Sequence, residues 1–147
     1  MPNMTTQLVV VGAGPGGYPA AFLAADLGME VTLVDMEPNP GGVCLYRGCI
    51  PSKALLHASK LLTEAREASE IGIHFEAPKI DVPKLRAWKE SVVGKLTGGL
   101  GQLSKARKVR YIQGRARFTD AQTLSIKHPD GAEETLTFQQ ALLATGS

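Results

Sequence analysis

The chain has 147 residues, a length that suits one domain, and its 44% apolar content is enough for a packed core. A net charge of +2 and a pI near 8.6 carry no mark of a nucleic-acid or membrane-surface binder. No segment reaches membrane-spanning length, and no basic region precedes the short apolar run near the start, which argues against a signal peptide. A cytoplasmic location is therefore expected, where two cysteines are more often reactive or inert than permanently bridged.

In chain order, Gln7 to Val11 reads as a buried strand that stops at glycine. Gly14 to Leu27 carries alanines and leucines at helical spacing and meets Gly28, a helix stop. Glu30 to Val34 reads as a second strand, which completes a strand–helix–strand unit with a parallel crossover. Ala54, Ala58, Leu61, Leu62 and Ala65 then recur at helical spacing. Leu85, Trp88, Val92, Leu96, Leu100 and Leu103 form a longer stripe, read as core or interface packing. The run Gly98-Gly99-Leu100-Gly101 weakens that helix, so either it breaks there or another backbone packs closely against it. Lys105, Arg107, Lys108 and Arg110 close the helix, where cations offset its dipole.

From Val109 onward the pattern shortens. Val109 to Gln113, Ala116 to Thr119, Thr123 to Lys127 and Thr135 to Thr137 read as short strands, separated by Asp120-Ala121 and by Pro129-Asp130-Gly131. A final apolar run, Ala141 to Ala144, leads into Thr145-Gly146-Ser147. The fold class is α/β: a Rossmann-like domain with a parallel sheet, helices and an inserted β-meander.

Two features carry chemistry. "GAGPGG" sets Gly12, Gly14 and Gly17 in G-x-G-x-x-G spacing between a strand and a helix, with Asp35 ending the next strand 23 residues after Gly12. The first glycine permits the turn, the second lets a pyrophosphate reach the backbone, and the third lets helix and strand pack closely. Asp35 can accept a hydrogen bond from a ribose hydroxyl. These features point to a dinucleotide and leave NAD and FAD open.

The second feature, "GGVCLYRGCIPSK", holds both cysteines, Cys44 and Cys49. On one regular helix their Cα atoms would lie roughly 8.5 Å apart, past the limit of about 7 Å for a disulfide. A bridge therefore needs an irregular segment. Gly48 and Pro51 supply one, and Pro51 suits the first turn of the next helix. Cys49 would then sit near a helix amino terminus with Arg47 and Lys53 nearby, an environment that favours thiolate chemistry. A zinc site is a poor alternative, because His57, His74 and His128 are scattered. A pair of inert core cysteines remains open.

"GGVCLYRGCIPSKALLH" resembles the redox motif of the pyridine nucleotide–disulfide oxidoreductases, and most of all that of the dihydrolipoamide dehydrogenase branch. "VVVGAGPGGYPAA", "KLTGGLGQLSKARKV", "YIQGRARF" and "LLATGS" extend the likeness over the whole chain. The resemblance implies an FAD cofactor held by Gly12, Gly14, Pro15, Gly16, Gly17, Asp35 and Met36. Gly41, Gly42, Val43 and Cys44 would line its flavin side. Gly114 and Ala116 would meet the adenine, and Thr145, Gly146 and Ser147 would close the site. Cys44 would be the outer thiol that exchanges with substrate. Cys49 would be the inner thiol beside the flavin, and Lys53 would lie near the ring edge.

The implied reaction carries electrons from dihydrolipoamide through a Cys44–Cys49 disulfide and FAD to NAD. The implied partners are a lipoyl domain of a 2-oxo acid dehydrogenase complex and a second subunit. Residues 1–147 would form the amino-terminal part of the FAD domain, without the NAD domain, the interface domain or the catalytic His–Glu pair of the family. Sister activities on glutathione or mercuric ion, and a catalytically silent nucleotide-binding fragment, are the alternatives. The chain departs from the family pattern at Asp35 for glutamate, at Val43 for threonine, and at Tyr46-Arg47 for Asn-Val.

Overall fold

A computed structural model describes residues 3–147. The chain runs β1 (Asn3–Val11), α1 (Tyr18–Asp26), β2 (Val31–Asp35), α2 (Gly42–Arg47), α3 (Cys49–Glu67), a 3₁₀ turn (Ala68–Ile71), α4 (Val82–Ala106), β3 (Arg110–Gln113), β4 (Arg115–Asp120), β5 (Thr123–Lys127) and β6 (Glu133–Leu143). All six strands form one sheet in the order β3-β2-β1-β6-β5-β4. β3, β2, β1 and β6 run parallel, and β5 and β4 add antiparallel to β6. This is the expected Rossmann-like α/β fold.

Successive side chains of a strand point to opposite faces, so each central strand feeds two cores. Val10 and Leu33 pack with Ala21, Phe22 and Ala24 of α1. Val9 and Val34 pack on the opposite face with Leu124, Ile126, Leu136 and Phe138 from the meander. Each fully buried Val or Leu contributes about 1.5–3 kcal/mol, so both faces stabilise the sheet.

The helices refine the sequence reading. α1 begins at Tyr18 instead of Gly14, because residues 14–17 form a turn in which the Gly17 and Tyr18 N–H groups both donate to the Gly14 carbonyl (2.8 and 3.0 Å). It ends before Gly28, whose φ of 91° lies in the left-handed region that glycine accepts without strain. α4 does not break at its glycines. Asp81 caps its amino end by accepting from the Lys84 N–H at 3.0 Å. Gly98 and Gly99 face open space, and only Gly101 is crowded: a Cβ there would sit 2.2 Å from the Asn39 side-chain oxygen. The close neighbour is therefore a side chain rather than a backbone. The Trp88 stripe is only partly covered, with Trp88, Leu96 and Leu103 exposed and Val93, Thr97 and Ser104 buried. His57 is exposed beside the Trp88 ring, which fits a surface position.

The last two predicted pieces are one strand. Thr135–Thr137 and the Ala141–Ala144 run, short of Ala144 itself, fuse into β6, which pairs with β1 from Thr135 to Leu143. Gln139 and Gln140 between them are exposed, and the backbone ladder carries the strand through that polar interruption.

Candidate functional site

The parallel strands β1, β2 and β6 all end at the same edge of the sheet. A cleft of about 440 Å³ opens there, at the carboxyl ends of the strands, where open α/β sheets bind ligands. Gly12, Gly14, Pro15 and Gly16 floor it, and Asp35, Met36 and Glu37 form one side. Gly42, Val43, Cys44 and Arg47 form the next side, and residues 144–147 complete it.

The floor is glycine because the backbones touch. A Cβ on Gly12 would lie 2.1 Å from the Ala144 carbonyl oxygen, and Gly12 has φ 100°. A Cβ on Gly17 would lie 1.7 Å from the Gly12 oxygen, which is the close packing that the third fingerprint glycine serves. Gly42, with φ 59°, brings the α2 wall onto the floor: its Cβ would meet the Gly14 Cα at 2.5 Å. The Asp35 carboxylate is turned inward. One oxygen accepts from the Ala13 N–H (2.6 Å) and the other from the Glu37 N–H (3.0 Å). Among the described residues, the N–H groups of Gly14 and Gly16 donate to no protein acceptor, so they are free for an anionic oxygen. A glycine floor, two free donors and a carboxylate at the strand end fit the pyrophosphate and ribose of a dinucleotide such as FAD.

The thiols sit where two helices meet. Gly48 separates α2 from α3 with φ −122° and ψ −103°, and a Cβ there would press on the Val43 oxygen and on Cys44. That break supplies the irregular segment which the cysteine spacing demands. Both cysteines are free thiols, Cys44 half-buried on the cleft wall and Cys49 exposed at the first residue of α3. They are side by side: a hydrogen bond with the Cys49 side chain, and then burial, push the Cys44 thiol above its ordinary value. The Lys53 charge and a contact with the Cys49 backbone act in the opposite direction and do not cancel the rise.

Other predicted residues stand around the cleft without lining it. Gly41 ties the wall to the floor through its N–H, which donates to the Ala13 carbonyl at 2.8 Å. Cys49 and Lys53 lie one turn apart at the start of α3. Gly114 donates to the Asp35 carbonyl at 2.8 Å, and its own bulk is limited by Ile126, 2.6 Å from where a Cβ would be. Ala116 packs on the meander-side core. Sequence reasoning missed Glu37, Arg47 and Ala144 as lining residues. Arg47 was visible only as a charge between the thiols, and Glu37 only as an acid two places after Asp35.

The sequence pattern of the pyridine nucleotide-disulphide oxidoreductases matches residues 6–147. The chain belongs to that family. Its relatives in this family include the dihydrolipoyl dehydrogenase of Haemophilus influenzae, 53% identical over 145 residues that cover 99% of this chain and 30% of that protein. The dihydrolipoyl dehydrogenase of Geobacillus stearothermophilus is 51% identical over 142 residues, 97% of this chain and 30% of the relative. Among solved structures, LpdA from Mycobacterium tuberculosis superposes with a TM-score of 0.87 at 28% identity, covering 96% of this chain and 32% of that one. The chain thus spans about 30% of the length of these disulphide oxidoreductases. No helix among the described residues is long and apolar enough to cross a membrane.

Proposed function

We propose that this chain is the FAD-holding, dithiol-bearing part of a cytoplasmic flavoprotein that oxidises dihydrolipoamide, as its relatives' shared name indicates. The observation that carries the reading is the placement of Cys44 on the wall of the dinucleotide cleft, with Cys49 adjacent to it across the Gly48 break. Residues 1–147 form the amino-terminal part of the FAD domain. The nicotinamide site, the subunit interface and the acid–base histidine are assigned to the parts of the relatives that this chain does not align with. The partners are a lipoyl domain of a 2-oxo acid dehydrogenase complex and a second subunit.

In this reading Gly14 and Gly16 donate their N–H groups to the pyrophosphate, and Asp35 accepts from the ribose. Val43 and Met36 cover the ligand, Gly114 and Ala116 approach the adenine end, and residues 145–147 close the cleft. The thiol chemistry belongs to the chain itself. One thiolate of dihydrolipoamide attacks Cys44 of the oxidised pair; the Cys44–Cys49 bond breaks and Cys49 leaves as thiolate. The second substrate thiol then attacks the mixed disulfide. Lipoamide departs with its own S–S bond, and Cys44 is released with the electron pair. The contact with Cys49 holds the remaining proton on Cys44. Bound FAD supplies two-electron uptake from this dithiol and delivery to NAD. Lys53 stands one turn from Cys49, where it favours negative charge on the pair.

The test counts thiols. The oxidised chain, desalted, should show no reactive thiol, and two per chain after dihydrolipoamide is added and removed. Cys44→Ser and Cys49→Ser should each show one thiol throughout. An oxidised chain that stays unreactive to dihydrolipoamide, or one that never forms the intramolecular bond, would overturn the redox assignment.

A further inference from the structure

Between the two thiols the chain reads Leu45-Tyr46-Arg47-Gly48, and its middle residues reach back along the cleft wall. The Tyr46 hydroxyl accepts from the Asn39 N–H and donates to the Asn39 carbonyl, both at 3.2 Å. The Arg47 guanidinium pairs with the Glu37 carboxylate. Segment 37–47 is thereby closed on itself by two consecutive side chains.

The far side of the same segment is bolted to the sheet. The Tyr111 hydroxyl donates to the Glu37 carbonyl at 2.7 Å, and Gln113 Nε2 donates to the Met36 carbonyl at 3.0 Å. Burial, with Asp35, Tyr46 and Glu37 nearby, pushes the Tyr111 phenol well above its ordinary value, so it keeps its proton as a donor. The Asn39 side chain fills the space beside Gly101 of α4. The segment therefore starts two residues after Asp35, at the cleft-lining Glu37, and ends on the helix that carries Cys44.

We propose that Tyr46 and Arg47 are positioning residues: they latch the thiol-bearing helix to the cleft wall, so that one closure fixes both the ligand surface and Cys44. The ligand half of this proposal rests on the reading that the cleft takes FAD. A wall held in its bound shape before the ligand arrives spares the cost of ordering it. Because one element carries both sites, what loosens it at one end loosens it at the other. The exposed side of Arg47 makes the pair salt-sensitive.

Two measurements on the whole chain test the latch. The first is FAD affinity by flavin-fluorescence titration of Arg47→Gln, Glu37→Gln, the double variant, and the exchange that places Glu at 47 and Arg at 37. Each single change should raise the dissociation constant roughly threefold to tenfold, the range of one hydrogen bond or ion pair, and the double should be no worse. The exchange should recover most of the loss. The second is the rate at which iodoacetamide modifies Cys44 in the ligand-free chain, resolved from Cys49 by mass spectrometry. It should rise by a similar factor in Arg47→Gln and in Tyr46→Phe, with circular dichroism confirming that each stays folded. Additive single changes with no recovery on exchange would overturn the proposal, and so would an unchanged Cys44 rate in both variants. A wild-type chain without FAD affinity would count against the cofactor reading alone, and the alkylation rates would still decide the latch.

Discussion

Asp35 shows how a residue proposed to meet a ligand first serves the scaffold. Its carboxylate accepts the Ala13 N–H and the Glu37 N–H, and so pins the glycine floor to the end of β2. Each carboxylate oxygen keeps further acceptor capacity, so the inward turn is compatible with the proposed ribose contact. Cys44 shows the same economy, since its proton is set chiefly by Cys49. A thiol that is held above its ordinary value reacts only as pH climbs toward that higher value, because the thiolate is the nucleophile. Replacing Cys49 by Ala removes the largest cause of the rise, so the pH profile of Cys44 alkylation should move to lower pH. A profile that stays in place or moves up would contradict the pairing of the thiols. At this scale the fingerprint glycines were legible because backbone contact fixes their spacing, whereas the cysteine spacing said only that a bridge needs a broken helix, and the redox roles came from the family resemblance. Arg47 and Glu37 were not legible as partners. Ten positions separate them, and only the turn through Gly41 and Gly42 brings them together.

The elements were legible where a period was long and clean, and illegible where backbone pairing overrode side-chain character. α4 was legible as one long helix, yet its glycines wrongly raised the prospect of a break, and its buried side runs through Val93, Thr97 and Ser104 while Trp88, Leu96 and Leu103 of the apolar stripe stay exposed. Helical hydrogen bonds and the Asp81 cap carry it through, although an interior glycine in open space weakens a helix. The glycines are not equivalent, and this gives a prediction. Gly94 is exposed with nothing within 4 Å, so Gly94→Ala should stabilise the chain by about 0.5–1 kcal/mol in urea denaturation. Gly101→Ala should gain less, because the new methyl meets the Asn39 side-chain oxygen and must push it aside. Equal effects at the two positions would mean that α4 does not pack on Asn39. β6 was divided by its two glutamines in the sequence reading. The parallel ladder to β1 makes it continuous, and a ladder depends on a partner strand that local sequence does not reveal.

At the scale of the whole molecule, the sheet places a floor, a carboxylate and a thiol pair at one edge. Four parallel strands carry that edge, and the antiparallel pair β4–β5 extends the sheet from β6 on the far side. The fold class was legible because the strand–helix–strand unit and the short strands of the meander have distinct periods. The joining of all six strands in one sheet was not, since it follows from the pairing of β1 with β6. The central claim is that this sheet edge binds FAD beside the Cys44–Cys49 pair, and the most direct measurement is the flavin retained per chain after gel filtration of the FAD-incubated protein. About one flavin should travel with each chain by the single-site reading of the cleft. Gly42→Ala should lose it, because the added Cβ would sit 2.5 Å from the Gly14 Cα and push the thiol-bearing wall off the floor. A folded wild-type chain from which FAD separates completely, even at saturating concentration, would contradict the claim.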